Sequence, residues 1–376
     1  MCGLTMNNLL KSVGGIVRFA GRRQFLRLIF PALIGGGIFC TANAQAGPER
    51  RPEDELVKLT VGAFAAPGSP WDVDWQTFRR NLMVHEGMGP EFRVKLLIRG
   101  EAGGEPITMT NIRRNRMQFG GFTIGGASAV VPELSMLLSP YVFENTDELD
   151  YVMDHYMLDV FQPLFAEKGL VLIRWVDVGW LSMYGKKPIR RPQDAKGYRL
   201  RSQASEAAQV MMESLNGDLL QMEFQDVVPS LQTGLIEGGE TNVVLYSVTG
   251  LASEAPHLML TRHAYDTGVI VANKKWFDSL SPRAQERLRR AFPTSEEARA
   301  GVRKMTASLL AMLRKNPDVT VHDLTVEERA AWIEATRDNH KRIIAEIGGQ
   351  AKRVYEAMIA GRDAYRNARR NAGGGQ

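Results

Sequence analysis

SLQTGLIEGGET (Ser230–Thr241) packs a helix stop, a short apolar step and a paired glycine into twelve residues. Upstream, Phe224, Val227, Val228, Leu231 and Leu235 recur at three- and four-residue spacing, one face of a helix. Gly234 can adopt the left-handed conformation that ends such a helix. Leu235-Ile236 is too short for another helical turn and predicts a short buried strand. Gly238-Gly239 then lets the backbone either turn sharply or approach another group closely. Glu240, Thr241 and Asn242 follow at once, so polar side chains gather at a strand exit, where ligands bind in open α/β sheets. An ordinary helix–strand–turn accounts for the same residues, and both readings stay open at this point.

Working outward, strand and helix signals alternate from residue 55 onward. VKLTVGAF and FRVKLLI (Phe92–Ile98) alternate as strands do, and LVLIRWV (Leu170–Val176), YRLR (Tyr198–Arg201) and GVIVAN (Gly268–Asn273) are further strands. Trp71, Trp75, Phe78 and Leu82 mark a helix face after the PGSP break. Helices are predicted at about 107–116, 146–165, 204–215 and 282–292, and most of 326–371 is helical and charged. The fold class is α/β, with helices long enough to serve as crossovers.

The chain of 376 residues has room for about two domains. Its net charge of +5 is local: residues 1–46 hold Lys11, Arg18, Arg22, Arg23 and Arg27 and no acidic residue. Removing those five leaves 42 basic against 42 acidic residues, which argues against a nucleic-acid partner. The densest remaining basic run, IRRNR (Ile112–Arg116), reads as a solvated helix face. The first 46 residues read as an export signal: paired arginines, an apolar run from Leu28 to Phe39, and small residues in ANAQA for cleavage. Arg22-Arg23 with Phe25-Leu26 resembles a twin-arginine signal, with general secretion as the alternative. Both cysteines, Cys2 and Cys40, lie in this segment, so a mature chain has no disulfide and no cysteine-ligated metal. A soluble periplasmic protein is expected.

Catalytic and metal signatures are missing. The histidines (His85, His155, His257, His263, His322, His340) show no close metal spacing and read as structural. There is no G-x-S-x-G elbow and no phosphate loop, and GGFTIGGAS (Gly120–Ser128) fits no dinucleotide fingerprint. Neither a cofactor nor a metal is expected. A recognition feature is present instead: Arg201 ends a strand just ahead of a helix that begins near Ser202–Ser205. Its planar guanidinium there suits a carboxylate, although a surface ion pair would use the same residues.

Four segments in order carry a family resemblance: SPYVFENTDEL (Ser139–Leu149), KPIRRPQDAKGYRLRSQAS, FQDVVPSLQTGLIEGGETN and LTRHAYDTGVIVANKKWFDSLSPRAQ. Together they resemble the DctP-type solute-binding proteins of TRAP transporters over roughly residues 55–295. The resemblance implies two α/β lobes around a cleft, a chain that crosses between them more than once, and a long helix spanning both. Lobe I would comprise 47–178 plus 267–306, and lobe II 179–266 plus 307–376 with the C-terminal helices. It further implies that Arg201 binds the ligand carboxylate, that Thr241, with Glu240 and Asn242 beside it, lies near the ligand, and that a monomeric chain delivers its solute to membrane permease subunits. Many members carry another arginine where this chain has Leu181, flanked by Trp180, Met183 and Tyr184. Trp71, Trp180 and Tyr184 are therefore candidate ligand contacts, and an aromatic or partly apolar monocarboxylate is the expected solute. A periplasmic enzyme on the same scaffold, or a binding protein serving a sensor, are the alternatives.

Overall fold

The computed structural model describes residues 56–84 and 91–373. The expected export signal, residues 1–46, lies outside the described residues, as does His85. Among the described residues nine strands form one sheet: β1 (Val57–Gly62), β2 (Phe92–Leu97), β3 (Phe119–Phe122), β4 (Leu170–Gly185), β5 (Arg199–Ser202), β6 (Asp218–Gln221), β7 (Gly238–Thr241), β8 (His257–Asn273) and β9 (Thr320–His322). Their order is β2-β1-β3-β8-β4-β7-β5-β6, with β9 beside β8.

The register of the two long strands makes this one sheet into two lobes. β4 and β8 run antiparallel along their whole length, from Leu170↔Asn273 to Gly185↔His257. β3 attaches only to the far end of β8, Phe119↔Ala272 through Phe122↔Val269, and carries β1 and β2 in parallel. β7 attaches only to the last residues of β4, Ser182↔Thr241 through Gly185↔Gly238, and carries β5 and β6 in parallel. Short parallel strands thus flank opposite ends of one long ribbon, and a cleft opens above its middle. Register shifts at 172/174, 177/179 and 181/183 kink the ribbon there; bulges of this kind bend a strand and re-aim its side chains. The helix Ser295–Leu313 is a third crossing: it packs on the helix Pro70–Met83 in one lobe, on β4, and on the helix Val243–Val248 in the other.

Each lobe buries its own core. In the first, Phe78 stacks on Phe292 at 4.2 Å and on Phe119 at 5.4 Å, with Trp75 edge-on. In the second, Tyr184 and Tyr246 pack with Val227, Leu231 and Ile236. The last two helices, Asn339–Ile347 and Ala351–Gly373, do not pack with the second lobe alone. Ile343, Val354 and Met358 share a core with Leu137, Val152 and Met157, so the segment after 306 caps both lobes.

Around the stretch Ser230–Thr241 the helix Val227–Gln232 ends as expected, with Gly234 at φ +74°. The strand falls elsewhere. Leu235 is half exposed, and the glycines themselves form β7 with Glu240 and Thr241. The reason is close approach: a Cβ on Gly238 would stand 2.4 Å from the Tyr184 carbonyl oxygen, and one on Gly239 2.8 Å from the Tyr184 hydroxyl. Arg201 lies in β5, and Ser205 caps the helix Glu206–Glu213 by accepting from the Ala208 amide. The run 112–116 is solvent-exposed beyond Ile112. Among the described residues no helix is long and apolar enough to cross a membrane.

Candidate functional site

The cleft closes over a cavity of about 1540 Å³, counting its open mouth. Its floor is the kinked middle of the ribbon: Val176, Val178 and Leu181 from β4, Asp266 and Ile270 from β8. Phe64 of the first lobe meets Phe224 of the second at 6.0 Å between ring centres, so aromatic rings bridge the mouth. The segment Gly120–Ser128 runs along the wall and contributes Gly121, Gly125 and Gly126.

Two arginines line the cavity, and they differ in what their nitrogens do. Arg174 is spent on the protein: Nε donates to the Trp175 carbonyl, Nη1 to the Pro293 carbonyl and Nη2 to Ser295 Oγ. Arg201 is 6 % exposed, and only its Nε is bonded, to the Met222 carbonyl at 3.3 Å. Among the described residues its two terminal nitrogens have no partner and no carboxylate within ion-pair distance. The Phe224 ring, 5.8 Å from the guanidinium carbon, backs the group. A buried guanidinium with an unused fork has the geometry to hold a carboxylate, which can accept two parallel N–H···O bonds.

β7 brings Glu240 and Thr241 to the same wall, and Asn242 follows. Asn242 Oδ1 accepts from the Leu245 amide and caps the next helix, which leaves its amide nitrogen without a partner among the described residues. Glu240 is tied to His263 Nε2 at 2.7 Å and to Gln203 at 3.4 Å. Trp71 lines the opposite wall, its indole N–H held by the Asp177 carbonyl at 2.9 Å, so the ring face is what it offers the cavity.

Two expected contacts are corrected. Trp180 does not line the cavity; adjacent strand residues face opposite sides, Leu181 takes the cleft face, and Trp180 packs edge-to-face on Tyr265 at 5.0 Å. Tyr184 is 1 % exposed and lies beneath β7 against Tyr246. The histidines 257 and 263 do not act together: Arg262 at φ +44° kinks β8 between them, His257 meets His322, and His263 meets Glu240 and Thr261.

Sequence reasoning named Glu240 but missed the other carboxylates of the cavity. Asp266 is 3 % exposed; Oδ1 accepts from the Ile124 amide at 3.3 Å, and Oδ2 has no partner among the described residues. Glu105, at the first turn of the helix Glu105–Arg113, accepts from the Thr123 amide at 2.7 Å and hydroxyl at 2.6 Å. Burial pushes both up to about 7; the N–H bonds and Arg201 pull them down, while Glu105 and Glu240 add to the rise at Asp266. Burial also raises Asp74, near Arg174, to about 6. One sequence signal existed for Asp266: an acid inside the buried run HAYDTGVIV needs a partner or a purpose. Among the described residues no three His, Cys, Asp or Glu gather as metal ligands.

These shifts fix a pH dependence. Between an acid's ordinary value near 4 and the raised value near 7, the folded chain keeps protons that the unfolded chain has released, so stability falls as pH rises through that window and levels off above it. Thermal melts of ligand-free protein from pH 4.5 to 8 should show this decline, and Asp266→Asn should flatten it. An equal slope in the variant would refute the assignment.

The fold is two-lobed, and the guanidinium of Arg201 lies buried between the lobes with its terminal nitrogens unused among the described residues. Comparison with known proteins places it further. The model of the DctP family, bacterial extracellular solute-binding protein family 7, matches residues 61–347, and the chain belongs to that family. It is 27% identical over 190 residues to a solute-binding protein of Chromohalobacter salexigens, covering 50% of this chain and 56% of that one. It is 26% identical over 222 residues to the C4-dicarboxylate-binding periplasmic protein of Rhodobacter capsulatus, covering 59% and 67%. In fold it is similar to a TRAP periplasmic solute-binding protein of Roseobacter denitrificans with bound β-D-glucuronate, at TM-score 0.75 and 24% identity, covering 81% of this chain and 99% of that one.

Proposed function

We propose that this chain is the periplasmic solute receptor of a TRAP-type transporter, acting as a monomer that captures a small carboxylate and delivers it to the membrane permease subunits. The observation that carries the reading is Arg201: buried, braced at Nε, and with its terminal fork unused. Thr241 and the Asn242 amide supply further donors beside it, and Glu240 orients that wall through His263. Trp71, Trp75, Phe64, Phe122 and Phe224 give the rest of the cavity an aromatic lining, and Val176, Val178, Leu181 and Ile270 give the floor an apolar part beside Asp266. That combination favours an acid with an aromatic or apolar body over a sugar acid or a C4 dicarboxylate. Lobe closure excludes water and strengthens the ion pair; no covalent step is involved. The receptor halves correspond to 47–178 plus 267–306 and 179–266 plus 307–376, with the last helices resting on both.

A thermal-shift panel tests this, because a ligand that binds only the folded state raises the melting temperature by mass action. Succinate, D-glucuronate, butanoate, 3-phenylpropanoate and amino acids form the panel. At least one carboxylate should stabilise the protein, and the same carbon skeletons carrying an amine but no carboxylate should not. Amines stabilising as well as acids would overturn the reading, as would no stabilisation by any carboxylate.

A further inference from the structure

Among the described residues the cavity is acidic around its one unpaired cation. Arg201 shares the cavity with Glu105 from the helix Glu105–Arg113, Glu240 from β7 and Asp266 from β8; Asp266 feels the charge of all three others, and Glu105 feels that of Arg201. Glu240 is partly answered by His263. Glu105 is answered by the Thr123 amide and hydroxyl. Asp266 is the exception: at 3 % exposure it is buried beyond nine-tenths, lines the cavity, and leaves Oδ2 without a protein partner among the described residues. A solute bearing only a carboxylate would bring a negative charge into a space where carboxyl groups outnumber the unpaired guanidinium and where burial already holds two of them up to about 7. It would also leave Asp266 unsatisfied in a closed cleft, which is costly for a buried polar group and more so for a charge.

We infer that the solute is a zwitterion: its carboxylate sits on the Arg201 fork and a protonated amine, or another cationic nitrogen with N–H donors, faces Asp266 with Glu105 behind it. This rests on the carboxylate reading of Arg201 and narrows it. One guanidinium and one carboxyl group of opposite sign, both buried and both with unused hydrogen-bonding atoms, form a complementary pair for a ligand carrying both charges. The aromatic rings of Trp71 and Phe224 suit the same ligand, since the face of an aromatic ring attracts a cation. Among the described residues these acids do not gather as metal ligands, and the proposal gives the positive charge to the solute.

The test uses the full folded chain and matched probes that differ only in the amine: L-proline against cyclopentanecarboxylate, L-phenylalanine against 3-phenylpropanoate, and 4-aminobutanoate against butanoate, with affinities measured by calorimetry. In at least one pair the zwitterion should bind tighter by about tenfold or more, the scale of one charge-assisted hydrogen bond. Asp266→Asn should remove that preference by weakening the zwitterion while leaving the plain acid equal or tighter. Glu105→Gln should shift the ratio the same way by less, and it keeps the test alive if the first variant does not fold. Plain acids binding as tightly as their zwitterions would overturn this inference and leave the carboxylate reading standing. Loss of both members of a pair to the same degree in the variants would overturn it too, since the acids would then only be shaping the wall. Binding by neither class would overturn both readings.

Discussion

Arg201→Ala is expected to weaken solute binding by roughly 30- to 4,000-fold, the equivalent of about 2–5 kcal/mol for removing one partner of a buried charge pair. The expectation follows from how the group is held. Its Nε bond to the Met222 carbonyl and the Phe224 ring behind it fix the guanidinium before ligand arrives, so little side-chain entropy remains to be lost on binding. Its terminal nitrogens have no competitor among the described residues, whereas Arg174 would first have to give up bonds to Pro293 and Ser295. Arg201→Lys should lie between wild type and Ala: it keeps the charge and loses both the brace and the bidentate fork. The measurement is calorimetry with whichever panel acid stabilises the wild type most. Because the guanidinium makes a single hydrogen bond to the protein, the ligand-free variant should melt within a few degrees of wild type. A change in affinity below about threefold would show that the carboxylate is held elsewhere.

How far this site could be read from sequence depends on the kind of signal each part leaves. The placement of Arg201 at a strand exit was legible because a strand, a polar exit and a serine cap follow one another locally; the structure puts it in β5, four residues before the capping Ser205. Strands β1, β2 and β5 were legible because alternation is a local pattern, whereas the edge strand β6 shows none and the three-residue β9 is too short to show one. The central ribbon was seen only in halves. LVLIRWV and GVIVAN are read as strands, but β4 continues to Gly185 and β8 begins at His257. The missing halves carry Asp177, Gly179, Arg262 and Asp266, residues that lower strand propensity, and they hold their geometry through bulges against each other. Those kinks make the cleft, and they depend on pairing between segments some ninety residues apart, which no window of sequence contains. The same cause explains Trp180 and Tyr184. Both looked like ligand contacts beside Leu181, but the alternation and the bulge at 181/183 decide which side chains face the cleft. Glu105 was hidden for another reason. It sits in a glycine-rich turn, RGEAGGE, where acids are common, and only folding brings Thr123 against it.

The two glycine roles within the stretch Ser230–Thr241 separate by mutation, and Gly238→Val should be the more severe change to the fold. A side chain at Gly238 meets the Tyr184 carbonyl oxygen at 2.4 Å, the Gly185 Cα at 3.0 Å and the Tyr198 ring at 3.1 Å. Two of these three are backbone of the neighbouring strand, which cannot rotate away as a side chain could. Valine therefore fits only if β7 separates from β4, breaking the Gly185↔Gly238 register that docks the second lobe's short strands onto the ribbon. Overpacking usually costs about 1–3 kcal/mol and occasionally more; with rigid backbone on one side the upper end, about 3 kcal/mol or beyond, is expected here. Binding should fall with stability, because β7 delivers Glu240 and Thr241 to the cavity. Gly234→Ala is the comparison. Gly234 has φ +74° and open space around its Cβ position, so its cost is backbone strain alone, about 1–2 kcal/mol, with affinity unchanged. Denaturant melts and calorimetry on the two variants decide the matter. If both lose the same small amount of stability and neither loses affinity, the close contact between β7 and β4, and with it the path by which this stretch reaches the solute, is wrong.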